Sequence, residues 1–193
     1  MRVSFDNYVI ELCEDVYEPA EDSFTLLDAI DAIGLSPGTF ADVGSGTGIV
    51  GIHASKKYRV KPIFIDINPK AVRCSKLNAE LNGVEGSFIL GDTLKPLRYV
   101  DYAAFNPPYL PGEPEDIVDK ARSGGEEGIE EAVKFVKESV KVRKGAFLLL
   151  TAFNPVEKVI RLAESIGLHT RVLFTRTIAG ERYYVIYLYT GEG

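Results

Sequence analysis

The segment from Thr39 to Lys57 passes from a strand pattern to a helix pattern through a loop of alternating glycines. It begins with TFADV, a mostly apolar run that is typical of a buried strand. The glycine loop GSGTG follows, and the helix pattern starts directly after it. A buried strand that enters a helix in this way begins the crossover that connects parallel neighbours in a sheet. The segment therefore predicts a parallel sheet covered by helices.

Strand and helix patterns continue to alternate along the chain, after a short strand pair expected between Val3 and Cys13. Sheet strands are expected at Thr39–Val43, Lys61–Ile67, Ser87–Leu90, Tyr99–Phe105, Gly145–Thr151, Leu168–Ile178 and Arg182–Thr190. Helices are expected at Glu21–Ile33, from the glycine loop to Lys57, from a cap at Asn68-Pro69, at Glu127–Val142 and at Pro155–Ile166. The last two strands form a hairpin turned at Ala179-Gly180-Glu181. We predict an α/β fold with a doubly wound, mostly parallel seven-stranded sheet that ends in an antiparallel hairpin.

The length and composition are those of one cytoplasmic domain. The chain has 193 residues, which suits a single domain over residues 1–193. Its apolar runs are far shorter than the roughly 20 residues of a membrane span, and it does not begin with a signal-peptide pattern. Cys13 and Cys74 match no metal-ligand spacing, so we expect two buried or idle thiols, no metal site and a cytoplasmic location.

The net charge of −6 makes a nucleic-acid partner unfavourable, because such partners are held by basic surfaces. One basic cluster runs from Lys134 to Lys144. Its spacing is that of the solvent-facing side of a helix. We therefore expect neither a nucleic-acid nor a membrane partner.

The glycine loop itself, DVGSGTG from Asp42 to Gly48, allows close approach of a ligand to the backbone. A phosphate-binding P-loop is excluded because the required lysine is missing, and a dinucleotide fingerprint would need a glycine at Ile49. The pattern that remains is the acid-x-Gly-x-Gly-x-Gly loop of S-adenosylmethionine enzymes. Asp42 would then face the cofactor's ammonium, directly or through water. A tight turn without a ligand stays open as the alternative.

Acidic residues also follow the next two strands. Asp66 ends the second strand about 20 residues beyond the glycine loop, the position of a ribose-hydroxyl acceptor in adenosine and nicotinamide sites alike. Asp92 follows the third strand, where it could accept the amino group of adenine or simply occupy a turn. Ligands bind beyond the carboxyl ends of parallel strands. The loops after Val43, Ile65, Leu90 and Phe105 are therefore predicted to form one active site.

The fourth of these loops is FNPPY, from Phe105 to Tyr109. Two consecutive prolines stiffen it and hold Asn106 extended. It resembles the Asn-Pro-Pro-Tyr motif of amino-methyltransferases. In that family the Asn side chain and the first Pro carbonyl accept hydrogen bonds from the target amino group, and the Tyr packs on the target plane. The resemblance implies a catalytic set of Asn106, Pro107, Pro108 and Tyr109, in which Asn106 orients the target and does not act as a base.

Three stretches point to one family among the amino-methyltransferases: DVYEPAEDSFTLLDAI (Asp15 to Ile30), RSGGEEGIE (Arg122 to Glu130) and NPPYLP. Together they resemble the HemK-type (PrmC-like) protein glutamine N5-methyltransferases, in the short archaeal and eukaryotic branch that modifies translation release factors. The resemblance covers nearly the whole chain and implies the class I S-adenosylmethionine-dependent methyltransferase fold. The cofactor contacts that we expect on this basis are Tyr17, Pro19, Ser23, Asp42, Gly44, Gly46, Gly48, Asp66, Ile67, Asp92, Thr93 and Asn106. A short N-terminal extension, residues 1–18, would help to close the cofactor pocket.

The same resemblance implies a substrate and a partner. The expected substrate is the glutamine of the Gly-Gly-Gln loop in a class I release factor. Bacterial members carry an N-terminal helical domain that helps to hold this substrate, and this chain begins almost at YEPAED. A small zinc-binding activator subunit is the familiar partner in the short branch. We expect it to dock on an edge strand near Phe88–Leu90, where three consecutive apolar residues cannot all face one side.

Three other functions remain open at this point. An adenine N6-methyltransferase acting on DNA or RNA could use the same loop. A protein lysine methyltransferase would need a base, and none is evident beside FNPPY in the sequence. A non-catalytic scaffold would not need Asp66, Asp92 and Asn106.

Overall fold

The computed structural model describes residues 1–5, 7–108, 128–178 and 180–191. The strands are β1 (Arg2–Phe5), β2 (Tyr8–Glu11), β3 (Thr39–Val43), β4 (Lys61–Asp66), β5 (Ser87–Leu90), β6 (Val100–Phe105), β7 (Val142–Thr151), β8 (His169–Ile178) and β9 (Glu181–Tyr189). The helices are α1 (Glu21–Ile33), α2 (Ile49–Tyr58), α3 (Pro69–Leu81), α4 (Glu130–Glu138) and α5 (Val156–Ser165), with a 3₁₀ turn at Ser139–Lys141. Among these residues no helix has the length and apolarity that crossing a membrane requires.

Seven strands form one sheet in the order β5-β4-β3-β6-β7-β9-β8, and β1 pairs with β2 separately. The strands from β5 to β7 are parallel, whereas β9 is antiparallel to both β7 and β8. The predicted α/β sheet with a terminal hairpin is therefore confirmed. The direction of winding reverses between β3 and β6, whose last residues Val43 and Phe105 are neighbours. A crevice is expected beyond the carboxyl ends at such a reversal.

The two faces of the sheet each support a hydrophobic core. Side chains alternate along a strand, so Phe40 of β3 packs with one cluster and Ala41 with the other. The first cluster contains apolar residues of α1 and α2, and the second contains residues of α4 and α5. Because both faces are covered, the central strands are apolar almost throughout.

The helix predicted at Glu127–Val142 is shorter than expected. Within the described residues it ends at Glu138, and Val142 is already the first residue of β7, where it pairs with Val100. The interpretation of the basic cluster as one helix face was wrong for its last members. Arg143 lies over the ring of Tyr99 at 3.8 Å from the guanidinium carbon to the ring centre.

The two cysteines are not idle thiols. Cys13 and Cys74 form a disulfide with Cα atoms 6.1 Å apart, so this expectation was wrong. Their proximity results from docking of β2 on α3, where the Glu11 N–H donates to Asn78 Oδ1 at 2.7 Å. Asn78 Nδ2 donates back to the Glu11 carbonyl at 3.1 Å. A separation of 61 residues shows no local pattern from which this pair could have been predicted.

Candidate active site

A cavity of about 950 Å³ lies beyond the carboxyl ends of β3, β4, β5 and β6. It is lined by residues of all four loops predicted to form the active site, namely those after Val43, Ile65, Leu90 and Phe105. The segment before α1 contributes a fifth side through Asp15, Val16 and Tyr17. The fold thus brings the predicted loops into one site at the point where the winding reverses.

Most of the predicted site residues line this cavity. They are Tyr17, Pro19, Ser23, Asp42, Gly44, Gly46, Asp66, Ile67, Asp92, Thr93, Asn106, Pro107 and Pro108. Tyr109 lies outside the described residues, as do Leu110, Pro111 and all of RSGGEEGIE before Gly128. Gly48 is not part of the lining. It adopts a φ of +83°, and a Cβ there would lie 3.0 Å from Ser75, so glycine is needed for packing at the start of α2.

The glycine loop is held by hydrogen bonds to the end of β4. Ser45 N–H donates to the Ile65 carbonyl at 3.1 Å, and Gly46 N–H donates to Asp66 Oδ2 at 3.0 Å. The other Asp66 oxygen accepts from Asn68 N–H at 2.8 Å. Burial raises the pKa of Asp66, and these backbone donors oppose that effect. A carboxylate has about four acceptor positions, so Asp66 can hold the loop and still accept from a ribose diol.

The helix cap predicted at Asn68 is confirmed. Asn68 Oδ1 accepts from Lys70 N–H at 2.9 Å, and Pro69 is the first residue of α3. Asn68 Nδ2 also donates to the Asp15 carbonyl at 2.9 Å. The cap therefore joins the start of α3 to the N-terminal segment that lines the cavity.

Asp42 is almost completely buried at the start of the glycine loop, with an exposed fraction of 3%. Its Oδ2 accepts from Gly51 N–H in α2 at 2.8 Å. Burial raises the pKa of Asp42 to about 8, the Gly51 donor lowers it, and the charge of Asp66 raises it further. A positively charged group in the cavity would favour the ionised form of this acid, because an opposite charge nearby lowers the pKa of a carboxyl group.

We expect Asp42→Asn to gain stability relative to the parent chain as the pH rises from about 5 to about 8. The pKa of Asp42 is raised in the folded chain and is about 3.9 in an unfolded one. The raised pKa therefore stabilises the folded chain fully below about pH 4. This stabilisation decreases as the pH rises and is absent above about pH 8. Asn keeps an acceptor for Gly51 and has no charge to desolvate. Urea unfolding of both proteins at several pH values measures the difference, in which the titrating groups that do not interact with Asp42 cancel. A difference that does not change with pH would contradict a raised pKa.

The loop after β5 combines a strained backbone with a fixed side chain. Thr93 has a φ of +47°, which is unusual for a β-branched residue and is typical of functional sites. Its hydroxyl donates to Glu138 Oε2 at 2.7 Å, so toward a cofactor this hydroxyl could only accept. Asp92 forms an ion pair with Lys95. The structure thus offers a carboxylate and a backbone segment on the adenine side of the predicted pocket.

Asn106 follows β6, and within the described residues the nitrogen of its side-chain amide is hydrogen-bonded whereas the oxygen is not. Its Nδ2 donates to Asp22 Oδ2 at 2.9 Å, whereas its Oδ1 is buried and has no hydrogen-bond partner among the described residues. A buried acceptor without a partner costs about 1–3 kcal/mol, so it marks a position where a ligand donor would be favourable. Ser45 Oγ, in the glycine loop, and Glu181 Oε1, at the start of β9, are two further buried atoms of this kind. All three residues line the cavity.

Asp22 and Phe153 are cavity residues that the sequence analysis missed. Asp22, in the first turn of α1, is 1% exposed and contacts Asn106, although the two are 84 residues apart. Phe153 lies in the loop after β7 and is 61% exposed. β7 is the parallel neighbour of β6, so its following loop falls on the same edge of the sheet. Counting the loop after every parallel strand would have identified Phe153, whereas only the tertiary structure identifies Asp22.

The residues present suit a nucleoside cofactor with a charged amino-acid end. Carboxylates occur at β3, β4 and the loop after β5, and glycines with positive φ line the same side. In the described part of the chain, no three His, Cys, Asp or Glu side chains are grouped as they would be to hold a metal ion. Asn106, Glu181 and Phe153 line the cavity at β6, β9 and the loop after β7, on the other side of β3 from β4 and β5 in the strand order.

The chain is similar to a methyltransferase family, to named methyltransferases and to a methyltransferase of known structure. Residues 21–160 match the family described as Methyltransferase small domain. A protein of Methanocaldococcus jannaschii that carries the name protein N5-glutamine methyltransferase is 36% identical over 143 residues, 72% of each chain. The human methyltransferase HEMK2 is 30% identical over 184 residues, 86% of each chain. In the solved structure of the E. cuniculi Mtq2-Trm112 complex, which methylates the termination factor eRF1, the matched chain is 31% identical with a TM-score of 0.78; the match covers 92% of this chain and 99% of that one. The matched family span includes all four cavity loops.

Proposed function

The chain belongs to the methyltransferase small domain family, and from that membership we propose that it methylates the side-chain amide of a glutamine in a protein. It is an S-adenosylmethionine-dependent enzyme with the class I methyltransferase fold. The observation that carries the proposal is the unpartnered Oδ1 of Asn106, a buried acceptor in the cavity wall at the end of β6, without a hydrogen bond from any described residue. The loop that holds it is stiffened by Pro107 and Pro108.

The cofactor would be held at the ends of β3, β4 and β5. Asp42 would accept from its ammonium, Asp66 from the ribose hydroxyls and Asp92 from the amino group of adenine. Gly44 and Gly46, with φ values of +60° and +51°, support this because their backbone can approach the ligand closely. When bound, S-adenosylmethionine supplies an electrophilic methyl group.

The target amide would be oriented by two acceptors, Asn106 Oδ1 and the Pro107 carbonyl. An amide nitrogen is a poor nucleophile because its lone pair is delocalised into the carbonyl group. Two fixed acceptors on its N–H bonds hold the nitrogen so that the lone pair can turn toward the methyl group. They also stabilise the positive charge that the nitrogen gains during transfer. Asn106 does not titrate near neutral pH, so it orients the target and does not remove a proton. The proton that the methylated nitrogen must lose would pass to water, since the N–H of a cationic amide is strongly acidic.

The glutamine of a release-factor Gly-Gly-Gln loop is the substrate that we propose. The structural relative from E. cuniculi belongs to a complex that methylates eRF1. The Asn106 oxygen that would orient the target is buried in the wall of the cavity, so we propose that the target is presented on a narrow, flexible segment. Flanking glycines allow a chain to turn sharply and enter without side-chain clashes. An adenine would have to leave its stack and would need phosphate contacts, which a net charge of −6 disfavours.

The test offers four substrates in parallel with labelled cofactor: a class I release factor, its Gln→Ala variant, a lysine-containing peptide and adenine-containing DNA. Of the four substrates, we expect labelling only of the release factor that retains its glutamine. The labelling rate should fall when either glycine of the Gly-Gly-Gln loop is replaced. Equal labelling of the Gln→Ala variant would contradict the proposal. Labelling of DNA would favour the adenine alternative, and labelling of the peptide would favour lysine.

We further propose that residues 1–193 act as one methyltransferase domain in which residues 1–18 help to close the cofactor side. Asp15, Val16 and Tyr17 support this because they line the cavity. We propose the cytoplasm as the compartment, since translation factors act there. The Cys13–Cys74 disulfide is unusual for a cytoplasmic protein, although intracellular proteins of hyperthermophiles often contain such bonds. The absence of glutamine and the single methionine agree with an origin of that kind.

A small activator subunit is proposed to extend the sheet at β5. This strand lies at the edge, and Leu90 is 61% exposed, while Phe88 stacks on Phe64 with ring centres 4.9 Å apart. An exposed edge with an apolar side chain favours addition of a strand from another chain. The partner would be the counterpart of the Trm112 subunit in the E. cuniculi complex. The zinc that the family resemblance implies would lie in that partner.

We expect Leu90→Lys to abolish co-purification with this partner and to leave cofactor binding unchanged. A lysine at the edge opposes pairing by its charge and its desolvation cost. Val172→Lys is the matched control, because Val172 is 45% exposed on β8, the opposite edge strand. Co-expression followed by affinity purification measures both. Loss of the partner in the Val172 variant alone would move the interface to β8.

A further inference from the structure

We infer that Asp22 is a positioning residue that sets the direction of the Asn106 amide. The inference deepens the proposed function and rests on it for its catalytic consequence. The geometric claim is independent of substrate: Asp22 determines which end of the Asn106 amide faces the cavity. Asp22 is 1% exposed, and it lines the cavity beside Asn106.

Hydrogen bonds from three described residues, Tyr17, Ser23 and Asn106, reach the two oxygens of Asp22. Oδ1 accepts from Ser23 N–H at 2.6 Å and from Ser23 Oγ at 3.3 Å. Oδ2 accepts from Tyr17 Oη at 2.9 Å and from Asn106 Nδ2 at 2.9 Å. A carboxylate can only accept hydrogen bonds. The group of Asn106 that faces Asp22 is therefore its NH₂, and the carbonyl oxygen is turned the other way.

The orientation matters because the two ends of an amide have opposite hydrogen-bonding character. With Oδ1 free of hydrogen bonds from the described residues, Asn106 presents an acceptor, which is what an incoming N–H₂ group needs. With the amide reversed, it would present two N–H donors to an N–H₂ group and repel it. Rotation about the last side-chain torsion costs little by itself. A neighbouring group must hold one of the two states, and Asp22 does so.

The substitution Asp22→Asn should reverse Asn106. The Ser23 backbone N–H is a donor whose position is fixed, so the new amide must direct its oxygen toward Ser23. Its NH₂ then occupies the place of Oδ2, opposite Asn106. Two NH₂ groups cannot pair, and Asn106 turns its oxygen toward the new amide at position 22. The acceptor is lost from the cavity although the shape of both side chains is unchanged.

Side-chain amide NMR of the free chain tests the geometry without any substrate. The resonances of Asn106 are assigned by their loss in Asn106→Ala. In the parent chain, we expect its amide protons to exchange with water at least roughly tenfold more slowly than those of the exposed Asn7, because a carboxylate holds them. In Asp22→Asn, we expect this protection to be lost. Exchange in the parent chain as fast as at Asn7 would overturn the inference without the use of any variant.

Transfer kinetics test the catalytic consequence. We expect Asp22→Asn to lower kcat by at least about tenfold while the cofactor Kd changes less than about threefold. The reciprocal double variant, Asp22→Asn with Asn106→Asp, should recover transfer relative to Asp22→Asn alone. The carboxylate at position 106 accepts from the new NH₂ and leaves its other oxygen in the cavity. A merely structural role for Asp22 does not predict this rescue. Glu21→Gln is the control, because it removes the neighbouring exposed charge from the same helix turn.

These measurements test the role of Asp22 separately from the proposed methyl transfer to glutamine. A parallel loss of cofactor affinity and kcat without rescue would make Asp22 a structural residue and overturn the inference. Unchanged kcat together with unchanged amide exchange in Asp22→Asn would overturn it as well. If the parent chain transfers no methyl group to glutamine, the proposed function fails, while the exchange measurement still decides the orientation of Asn106.

Discussion

Asn106→Ala is expected to lose turnover by roughly a hundredfold or more while binding S-adenosylmethionine nearly as tightly as the parent chain. The variant removes Asn106 Oδ1, a buried side-chain acceptor without a partner among the described residues. It leaves Asp42 and Asp66 in place, so cofactor binding retains its proposed ionic and ribose contacts. Asp22 loses one donor but keeps Tyr17 and Ser23.

Calorimetry of cofactor binding and steady-state methylation of a release factor measure the two quantities separately. The effect should appear in kcat, because an orienting group acts mainly in the transition state. The double variant Asp22→Asn with Asn106→Asp, which retains an acceptor at position 106 and a donor opposite it, serves as the comparison. Methylation that stays within a few fold of the parent rate would contradict the assignment of Asn106 as the orienting group. A loss of cofactor affinity equal to the loss of turnover would do the same.

The second large effect concerns the disulfide. Replacing Cys13 and Cys74 together by serine is expected to lower the free energy of unfolding by about 2–4 kcal/mol. The bond closes a loop with a sequence separation of 61, so it restricts the unfolded chain considerably. Urea unfolding of the parent and the double variant, each with and without reductant, measures this. Reductant should lower the stability of the parent and leave the double variant unchanged.

The same bond is expected to affect the cofactor side of the cavity. Val16 packs with Cys74 and Ala71, and its neighbours Asp15 and Tyr17 line the cavity. Loss of the bond frees this segment at one end, although the Asp15 carbonyl remains bonded to Asn68. Cofactor affinity in the double variant should therefore fall. Unchanged stability and unchanged affinity would mean that the packing of β2 on α3 holds the segment without the bond.

The fold could be predicted because its signals are local. The bounds of α1, β3 and β5 coincide with those expected, since hydrophobic periodicity and turn residues act over a few positions. The end of α4 differed because β6 pairs with Val142 and draws it into β7. That pairing joins residues far apart in sequence. Local preference alone would have allowed the helix to continue.

The residues of the site also include some that local sequence patterns predict and some that they do not. Local patterns were enough to predict a glycine loop, two acids and an Asn-Pro-Pro loop, each at the carboxyl end of a parallel strand. The fold must bring such loops together, and all of them line the cavity. The contact of Asp22 in α1 with Asn106 and the bond between Cys13 and Cys74 became evident from the folded chain alone. Backbone pattern governs where strand ends converge. Contacts between side chains on separate elements depend on how helices and the N-terminal segment pack, and no spacing along the chain specifies that.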